Sequence, residues 1–249
     1  MAGVAADSPF SLASGDVLVR WAPVGKAPPA AEREALTALL SASERARLER
    51  FAFDADAWHY VVAHALLRRT LARCAAVAPG AWSFRAAPGG RPEIETPESA
   101  RRLRFSLSHT RGLVACAICL DHDVGVDAEA VDEALMTAEL AERFLSPAEA
   151  ESLERLPTER RLHRLFELWT LKEACLKARG DGLAVAPEDL SFRLRSGRPP
   201  AVSFAGALSG SPRAWRFAVE SVASGHLVAA AVRCGASLGV RFLSGAEGG

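Results

Sequence analysis

The feature that most constrains the fold is a helical pattern from about Thr158 to Arg179, which ends where Gly180 offers a C-cap. An α-helix advances by about 100° per residue, so residues three or four positions apart share one face. One such stripe consists of Leu162, Phe166, Trp169, Glu173 and Lys177. Its last two members are charged, and an unpartnered buried charge costs several kcal/mol. The pattern therefore predicts either a surface ion pair or a cleft that holds a cation or a phosphate.

A second acidic pair lies in the predicted strand Asp123–Glu129. Asp127 and Glu129 are two residues apart, so on a strand both carboxylates project from the same face. Mg²⁺ accepts one or two carboxylates together with phosphate oxygens, which fits such a pair. The alternative is a solvated edge strand, because an Asp-x-Glu pattern alone is weak evidence for a metal site.

Length and composition permit one large domain or two modest ones, with enough apolar residues for a core: 249 residues, 49% of them hydrophobic. Thirty basic and 30 acidic side chains give no net charge, so we expect neither a nucleic-acid nor a membrane partner. No apolar run approaches the roughly 18 residues that span a bilayer, and five scattered cysteines argue against a disulfide framework. We expect a soluble, cytoplasmic protein.

Helices and strands alternate along the chain, which predicts an α/β (α+β) fold. The predicted helices are 31–40, 43–51, 56–74, 131–144 and 158–179. The segments Ser41–Glu44 and Ser146–Glu149 have the pattern of capping boxes. The predicted strands are 17–21, 81–86, 103–108, 112–120, 123–129, 189–195, 214–220, 227–233 and 238–243. Each half contains a long helix and several strands, so we expect an N-terminal subdomain 1–120 and a C-terminal subdomain 121–249.

Three further segments carry polar or reactive groups. Arg45 and Arg47 lie on one predicted helix and form either a solvated face or a phosphate grip. The segment Ser108–Gly112 is predicted to be a ligand-binding turn; a catalytic serine is disfavoured because no G-x-S-x-G surrounds it. Cys116 and Cys119 form a C-x-x-C motif, which can indicate a redox or zinc site. They lie in a segment with the apolar pattern of a buried strand, so we expect buried thiols instead.

Two segments together resemble the signature motifs of the 4′-phosphopantetheinyl transferase superfamily. They are Gly125–Glu129 and Phe166–Ala178, the latter followed by Gly180–Leu183. The resemblance to the surfactin-synthetase-activating (Sfp-type) branch extends upstream over the segments 44–51, 91–92 and 105–109. It implies a monomer of two similar α/β subdomains, related by a pseudo-twofold axis, with coenzyme A bound in the cleft between them.

The resemblance implies transfer of 4′-phosphopantetheine from coenzyme A to a serine of an apo carrier protein, with release of adenosine 3′,5′-bisphosphate. The implied ligands of Mg²⁺, or alternatively Mn²⁺, are Asp127, Glu129 and Glu173. The implied catalytic residues are Glu173 and Lys177. The implied contacts to coenzyme A are Arg45, Arg47, Arg91, Ser108, His109 and Lys177.

Some points stay open at the level of sequence. Glu44 departs from the pattern, because the best-known member of the family has a basic residue there, and His59 and Tyr60 also differ from that member. The general base is either Glu173 or a water on the metal. Two functions are alternatives to the transferase. One is a different Mg²⁺-dependent enzyme that cleaves pyrophosphates, and the other is a noncatalytic module that binds carrier proteins. The sequence does not choose among acyl, peptidyl and aryl carriers of fatty-acid, polyketide or nonribosomal-peptide synthesis.

Overall fold

The computed structural model describes residues 10–246 except 88–89, 136–140, 142–143, 181–184, 207, 209, 223–224 and 236–238. The α-helices in this part of the chain are α1 Ala30–Thr37, α2 Ala42–Leu48, α3 Asp54–Ala75, α4 Pro147–Glu154 and α5 Thr158–Arg179. The strands are β1 Asp16–Pro23, β2 Ser83–Ala86, β3 Pro92–Thr96, β4 Leu103–Thr110, β5 Leu113–Leu120, β6 Asp123–Ala130, β7 Leu190–Arg193, β8 Ala201–Phe204, β9 Trp215–Val222, β10 His226–Arg233 and β11 Arg241–Ala246. The predicted mixture of helix and sheet is confirmed.

The first large sheet has the strand order β11-β1-β5-β4. Its strands pair antiparallel except that β11 runs parallel to β1. Helix α3 packs on one face, because alternate strand residues point toward it and are apolar. This core includes Leu66, Leu67, Leu71, Phe105, Cys116 and Ile118.

The second large sheet has the order β6-β10-β9 and is antiparallel throughout. Helix α5 covers its outer face with a core that includes Leu168, Leu171, Cys175, Ala229 and Ala231. The other faces of the two sheets share a third core, which includes Val17, Val19, Ala115, Ala117, Val126, Ala128, Val228 and Ala230. The sheets therefore pack against each other, with a long helix on each outer side.

Local signals in the sequence predicted several helix ends correctly. Ser41 and Ser146 each form the predicted capping box with a glutamate three residues later, Glu44 and Glu149. Helix α5 has the predicted bounds and ends at Gly180, whose φ is 73°. Of the predicted helix 131–144, residues 136–140 and 142–143 lie outside the described residues. Its predicted start is wrong, because 131–132 are not helical and Glu133–Leu135 form a short 3₁₀-helix.

The predicted turn at Ser108–Gly112 is wrong for its first three residues. Ser108, His109 and Thr110 continue β4 and pair with β5, which leaves only Arg111 and Gly112 between the two strands. The short strands β3 and β8 were not predicted. Each forms a two-stranded hairpin with the strand before it, β2 and β7 respectively.

The predicted division after residue 120 stays a prediction, as does the pseudo-twofold axis. Residues 121 and 122 lie between β5 and β6, and the last strand, β11, returns to the first sheet. In the part of the chain that the structure describes, no helix is both long enough and apolar enough to cross a membrane.

Candidate functional site

Strand β6 places Asp127 and Glu129 on its outer face, as the two-residue spacing predicted. Valine and alanine at the intervening positions 126 and 128 point the other way, into the core between the sheets. Pairing with β10 fixes the register, with Asp127 opposite Ala229 and Glu129 opposite Leu227. The two carboxylates therefore sit on a rigid strand.

Gly125 allows α5 to pack directly on this face of β6. A methyl group at position 125 would overlap the backbone oxygen of Ala174 and lie 2.5 Å from the nitrogen of Ala178. Only glycine fits such a close approach of two backbones. The approach brings Glu173 and Lys177, one helical turn apart, beside the acidic pair of β6.

Lys177 and Asp127 form the central contact of the site. The Lys177 Nζ donates to Asp127 Oδ1 at 2.6 Å, and the Lys177 side chain is 34% exposed. Asp127 is almost fully buried, and its other oxygen, Oδ2, has no hydrogen-bond partner among the described residues. Burial raises the pKa of Asp127, while Lys177 and the Ser108 hydroxyl oppose the rise.

Glu129 is held by a tryptophan from α5. Trp169 Nε1 donates to Glu129 Oε1 at 3.1 Å, and Thr110 Oγ1 lies 3.5 Å from Glu129 Oε2. Burial, and then the charge of Asp127, raise the pKa of Glu129 to about 7. Glu129 is therefore a carboxylate that would ionise more readily beside an added positive charge.

Glu173 is half-buried on the same side of α5. Burial and the charge of Asp127 raise its pKa, and Lys177 opposes the rise. Across the described residues, no three Asp, Glu, His or Cys side chains converge closely enough to hold a metal ion in this arrangement. The donor chemistry nevertheless fits a hard divalent cation, since the buried Oδ2 of Asp127 has no hydrogen-bond partner among the described residues and the charge of Asp127 raises the pKa of both Glu129 and Glu173.

Two predicted contacts to coenzyme A, Ser108 and His109, lie beside this cluster on β4. Ser108 is buried and hydrogen-bonded to Asp127 and Lys177, whereas His109 is exposed at the end of the strand. Although the side chain as a whole is exposed, partial desolvation of the imidazole by its neighbours, and then the charges of His59 and Lys177, lower the pKa of His109. The structure thus brings His109 close to Lys177 of α5.

Arg91 connects the two halves of the chain. Its guanidinium pairs with Asp123 at 2.8 Å and donates to the backbone oxygen of Ala178 at 3.2 Å. Arg91 therefore contacts the C-terminal end of α5 at Ala178, the residue after Lys177, and 22% of its side chain is exposed.

Arg45 and Arg47 lie on α2, and both are exposed. Arg45 donates to the backbone oxygen of Leu40, and the Arg47 guanidinium lies 5.7 Å from the centroid of the Tyr60 ring. Arg47 thus stacks on an aromatic residue of α3.

Glu44, which departs from the family pattern, has a structural explanation. It accepts from Arg68 at 2.5 Å and contacts His64 Nδ1 at 2.8 Å, in addition to capping α2 at Ser41. Arg68 is fully buried and donates to the backbone oxygen of Trp82. Burial alone would raise the pKa of Glu44, but these partners lower it to about 2.

Sequence reasoning missed the two histidines that hold the Arg111-Gly112 turn. His59 Nδ1 donates to Ala55 O at 2.7 Å, so its Nε2 is free to accept the Gly112 N–H at 3.1 Å. His226 Nε2 donates to Arg111 O at 2.8 Å. The only signal in the sequence was the departure at His59 from the family pattern, because the contacts join α3 and β10 to a distant hairpin.

Comparisons with known proteins cover both halves of the chain. A family profile described as "4'-phosphopantetheinyl transferase superfamily" matches residues 123–232, and one described as "4'-phosphopantetheinyl transferase, N-terminal" matches residues 20–120. The 4′-phosphopantetheinyl transferase HetI of Nostoc sp. is 34% identical over 181 residues, 73% of this chain and 76% of the relative.

A more distant relative supports the same family by its sequence. The 4′-phosphopantetheinyl transferase Sfp of Bacillus subtilis is 26% identical over 163 residues, 66% of this chain and 70% of the relative. Among solved structures, the holo-[acyl-carrier-protein] synthase of Thermotoga maritima is similar over 48% of this chain and 64% of that chain, with 24% identity and a TM-score of 0.37.

Proposed function

The chain belongs to the 4′-phosphopantetheinyl transferase superfamily, in its Sfp-type branch, and we propose that Asp127, Glu129, Glu173 and Lys177 perform its chemistry. The enzyme transfers 4′-phosphopantetheine from coenzyme A to a carrier protein. The observation that carries the assignment of residues is the contact of α5 with β6, where Lys177 meets Asp127 at 2.6 Å beside two further carboxylates.

In the reaction, the serine hydroxyl of the carrier attacks the β-phosphorus of coenzyme A. The bond from that phosphorus to the bridging oxygen breaks, and adenosine 3′,5′-bisphosphate departs with the oxygen. A lysine ammonium has three N–H donors, and Lys177 uses two of them for Ser108 and Asp127. The third donor is available for a phosphate oxygen on the partly exposed side, where it would stabilise developing negative charge.

Glu173 is the residue we propose to accept the proton of the attacking hydroxyl. Its carboxylate is half-buried, and its raised pKa makes it a stronger base than an exposed glutamate. Lys177 lies one turn further along the same helix, so the base and the cation are held at a fixed spacing.

We propose that Asp127, Glu129 and Glu173 hold Mg²⁺, with Mn²⁺ as an alternative. The ion would neutralise the pyrophosphate, which otherwise repels a nucleophile. The support is the donor set itself, three carboxylates with raised pKa values and an oxygen of Asp127 without a partner among the described residues.

For coenzyme A, we propose that Arg91 and His109 contact its phosphates and that Arg45 or Arg47 contacts the 3′-phosphate. The exposure of Arg45 and Arg47 and the bidentate geometry of guanidinium groups support this. The subdomain division after residue 120 is also a proposal, supported by the two profile matches that end at 120 and begin at 123.

We further propose a cytoplasmic monomer without a nucleic-acid or membrane partner. All five cysteines lie in the described part of the chain and none forms a disulfide, as is usual in a reducing compartment. The net charge of zero gives no general attraction for nucleic acid. Carriers of fatty-acid, polyketide and nonribosomal-peptide synthesis are all candidates for the partner.

The test is release of adenosine 3′,5′-bisphosphate from coenzyme A and MgCl₂, with and without an apo carrier protein. We expect release only when a carrier is present, and loss of release when a chelator removes divalent ions. Release without any carrier would indicate a hydrolase of pyrophosphates, and binding of the carrier without release would indicate a noncatalytic module. Either result would contradict the proposal.

A further inference from the structure

The two-residue turn between β4 and β5 is bonded to histidines from both halves of the chain. The Nε2 of His59, on α3, accepts the Gly112 N–H at 3.1 Å, and the Nε2 of His226, on β10, donates to the Arg111 backbone oxygen at 2.8 Å. The Gly112 oxygen accepts the N–H of Val24, just after β1, at 2.8 Å. Three backbone groups of this short turn are therefore bonded to three different segments.

Only the neutral form of His59 makes both of its hydrogen bonds. A backbone carbonyl only accepts, so the Nδ1 that lies 2.7 Å from Ala55 O carries a proton. A backbone amide only donates, so Nε2 must be unprotonated to accept from Gly112. Protonation of Nε2 would place two N–H groups against each other. A histidine side chain ordinarily changes its charge between about pH 5 and pH 8, so acid can remove this contact.

The turn continues into the strand end that bears a proposed contact to coenzyme A. His109 lies three residues before Gly112 at the exposed end of β4, within range of a charge on His59. Among the described residues, His59 makes no hydrogen bond to Lys177 or to the three carboxylates of the proposed metal site. Its bond to the turn lies outside that cluster and does not depend on the presence of a metal ion.

Several other titratable or charged groups surround His59, His109 and the turn. They are Asp56 and His64 on α3, Lys177 on α5, His226 on β10, and Arg111 with its ion-pair partner Asp132 at 2.8 Å. His226 can donate to Arg111 whether or not its ring is charged, because a charged imidazole keeps both N–H groups. Of the two histidines that contact the turn, only His59 loses its contact in acid.

We infer that His59 in its neutral form is a positioning residue, which fixes the β4–β5 turn and thereby places His109 for contact with the phosphates of coenzyme A. The inference deepens the proposed function and rests on it. His59 acts through the Gly112 amide, so an acceptor at this position matters and a positive charge does not.

The consequence is weaker binding of coenzyme A when the acceptor is lost. His59→Leu leaves the Gly112 N–H without its partner, and we expect the Kd of coenzyme A to rise about tenfold, the order of effect of one lost hydrogen bond. His59→Gln keeps an acceptor that cannot be protonated and should bind within about threefold of wild type at pH 8. His122→Leu is the control, because it changes a histidine at the other end of β5.

The experiment combines calorimetry with hydrogen exchange on the full chain. The Kd of coenzyme A is measured without a carrier at pH 8 and pH 6 for wild type and the three variants. The ratio of the wild-type Kd to that of His59→Gln should rise about threefold or more at pH 6, since other titrating groups affect both proteins. Exchange of the Gly112 amide, measured without coenzyme A, should be about tenfold faster in His59→Leu than in His59→Gln.

Three results would overturn the inference. A wild type that binds coenzyme A more tightly than His59→Gln at pH 6 would show that a charged His59 attracts phosphate directly. The same holds for equal Kd values in the leucine and glutamine variants at equal unfolding temperature, and for a ratio of wild type to His59→Gln that does not change with pH. This last comparison does not require the leucine variant to fold.

The proposed function can fail separately. A wild type that binds no coenzyme A would refute it, and exchange at Gly112 then decides the role of His59. Faster exchange in the wild type at pH 6 than in His59→Gln at the same pH would support the fixing of the turn by neutral His59, and equal exchange would refute it.

Discussion

Glu129 shows how burial and like charge act together on a single residue. Burial, and then the charge of Asp127, raise its pKa from the ordinary value of 4.5 to about 7. Between those values the unfolded chain has lost a proton that the folded chain keeps, so the metal-free protein becomes less stable as pH rises from about 4.5 to about 7. The folded state bears the full cost only above that window.

We therefore expect Glu129→Gln to stabilise the metal-free protein at pH 8 and to have little effect at pH 4.5. The gain should be about 1 to 2 kcal/mol, a value discounted from about 1.4 kcal/mol per pKa unit because Glu129 is only half-buried. Urea unfolding with a chelator present measures it. A variant that is less stable than wild type at pH 8 would contradict this prediction.

Glu44 shows the opposite effect, because its partners hold its pKa at about 2. Its stabilisation is complete above the unfolded value of 4.5 and is lost as pH falls from 4.5 toward 2. Glu44→Gln leaves the buried Arg68 without its carboxylate, so we expect a loss of about 3 to 5 kcal/mol at pH 7. Chemical unfolding at pH 7 and pH 3 should show a smaller loss at pH 3, where part of this stabilisation is already gone. Glu49→Gln, which changes an exposed neighbour, should have no comparable effect at either pH.

Lys172 and Lys177 lie on the same helix but differ in burial. Lys172 is fully buried and pairs with Glu149 at 2.6 Å while donating to the backbone oxygen of Phe144. We expect Lys172→Ala to cost about 3 to 5 kcal/mol of stability. Lys177→Ala should cost less because water reaches its site, yet it should lower transfer by about 100-fold or more.

Unfolding curves and transfer rates measured on the same preparations separate the two lysines. Equal stability losses in the two variants, or full transfer activity in Lys177→Ala, would contradict the assignment of Lys172 to stability and of Lys177 to catalysis.

At the scale of elements, the packing of α5 on β6 depends on a single glycine. We expect Gly125→Ala to destabilise the protein by about 3 kcal/mol or more, because the added methyl meets two backbone atoms that cannot turn away. Gly80→Ala is a suitable control, since nothing lies within 4 Å of a methyl group at that position. A Gly125→Ala protein with wild-type stability would contradict the close packing of this helix and strand.

Elements whose ends are determined locally could be predicted from the sequence. Capping boxes at Ser41 and Ser146 and the C-cap at Gly180 define helix ends through nearby residues alone. The extension of β4 through Thr110 could not be read locally, because it depends on register with β5. The polar residues of that segment are typical of a turn, but its pairing with the distant strand β5 determines that it is extended.

At the scale of the whole molecule, the site exists only because two sheets and two long helices meet. The spacing of Asp127 and Glu129 and of Glu173 and Lys177 is visible in the sequence. The hydrogen bonds of Ser108 and of the two histidines at the Arg111-Gly112 turn are not, because each joins segments far apart in the chain. Sequence reasoning thus identified the charged groups but not the contacts that hold them.

The most direct measurement is the intact mass of an apo carrier protein after incubation with coenzyme A, MgCl₂ and this enzyme. We predict that the carrier gains the mass of one phosphopantetheine group with wild type. The control variant Glu167→Gln should give the same gain, because Glu167 lies on α5 like Glu173 but pairs with Arg164. Glu173→Gln should be slower by about 100-fold or more. An unchanged carrier mass with wild type across several carriers, or full activity in Glu173→Gln, would contradict the account.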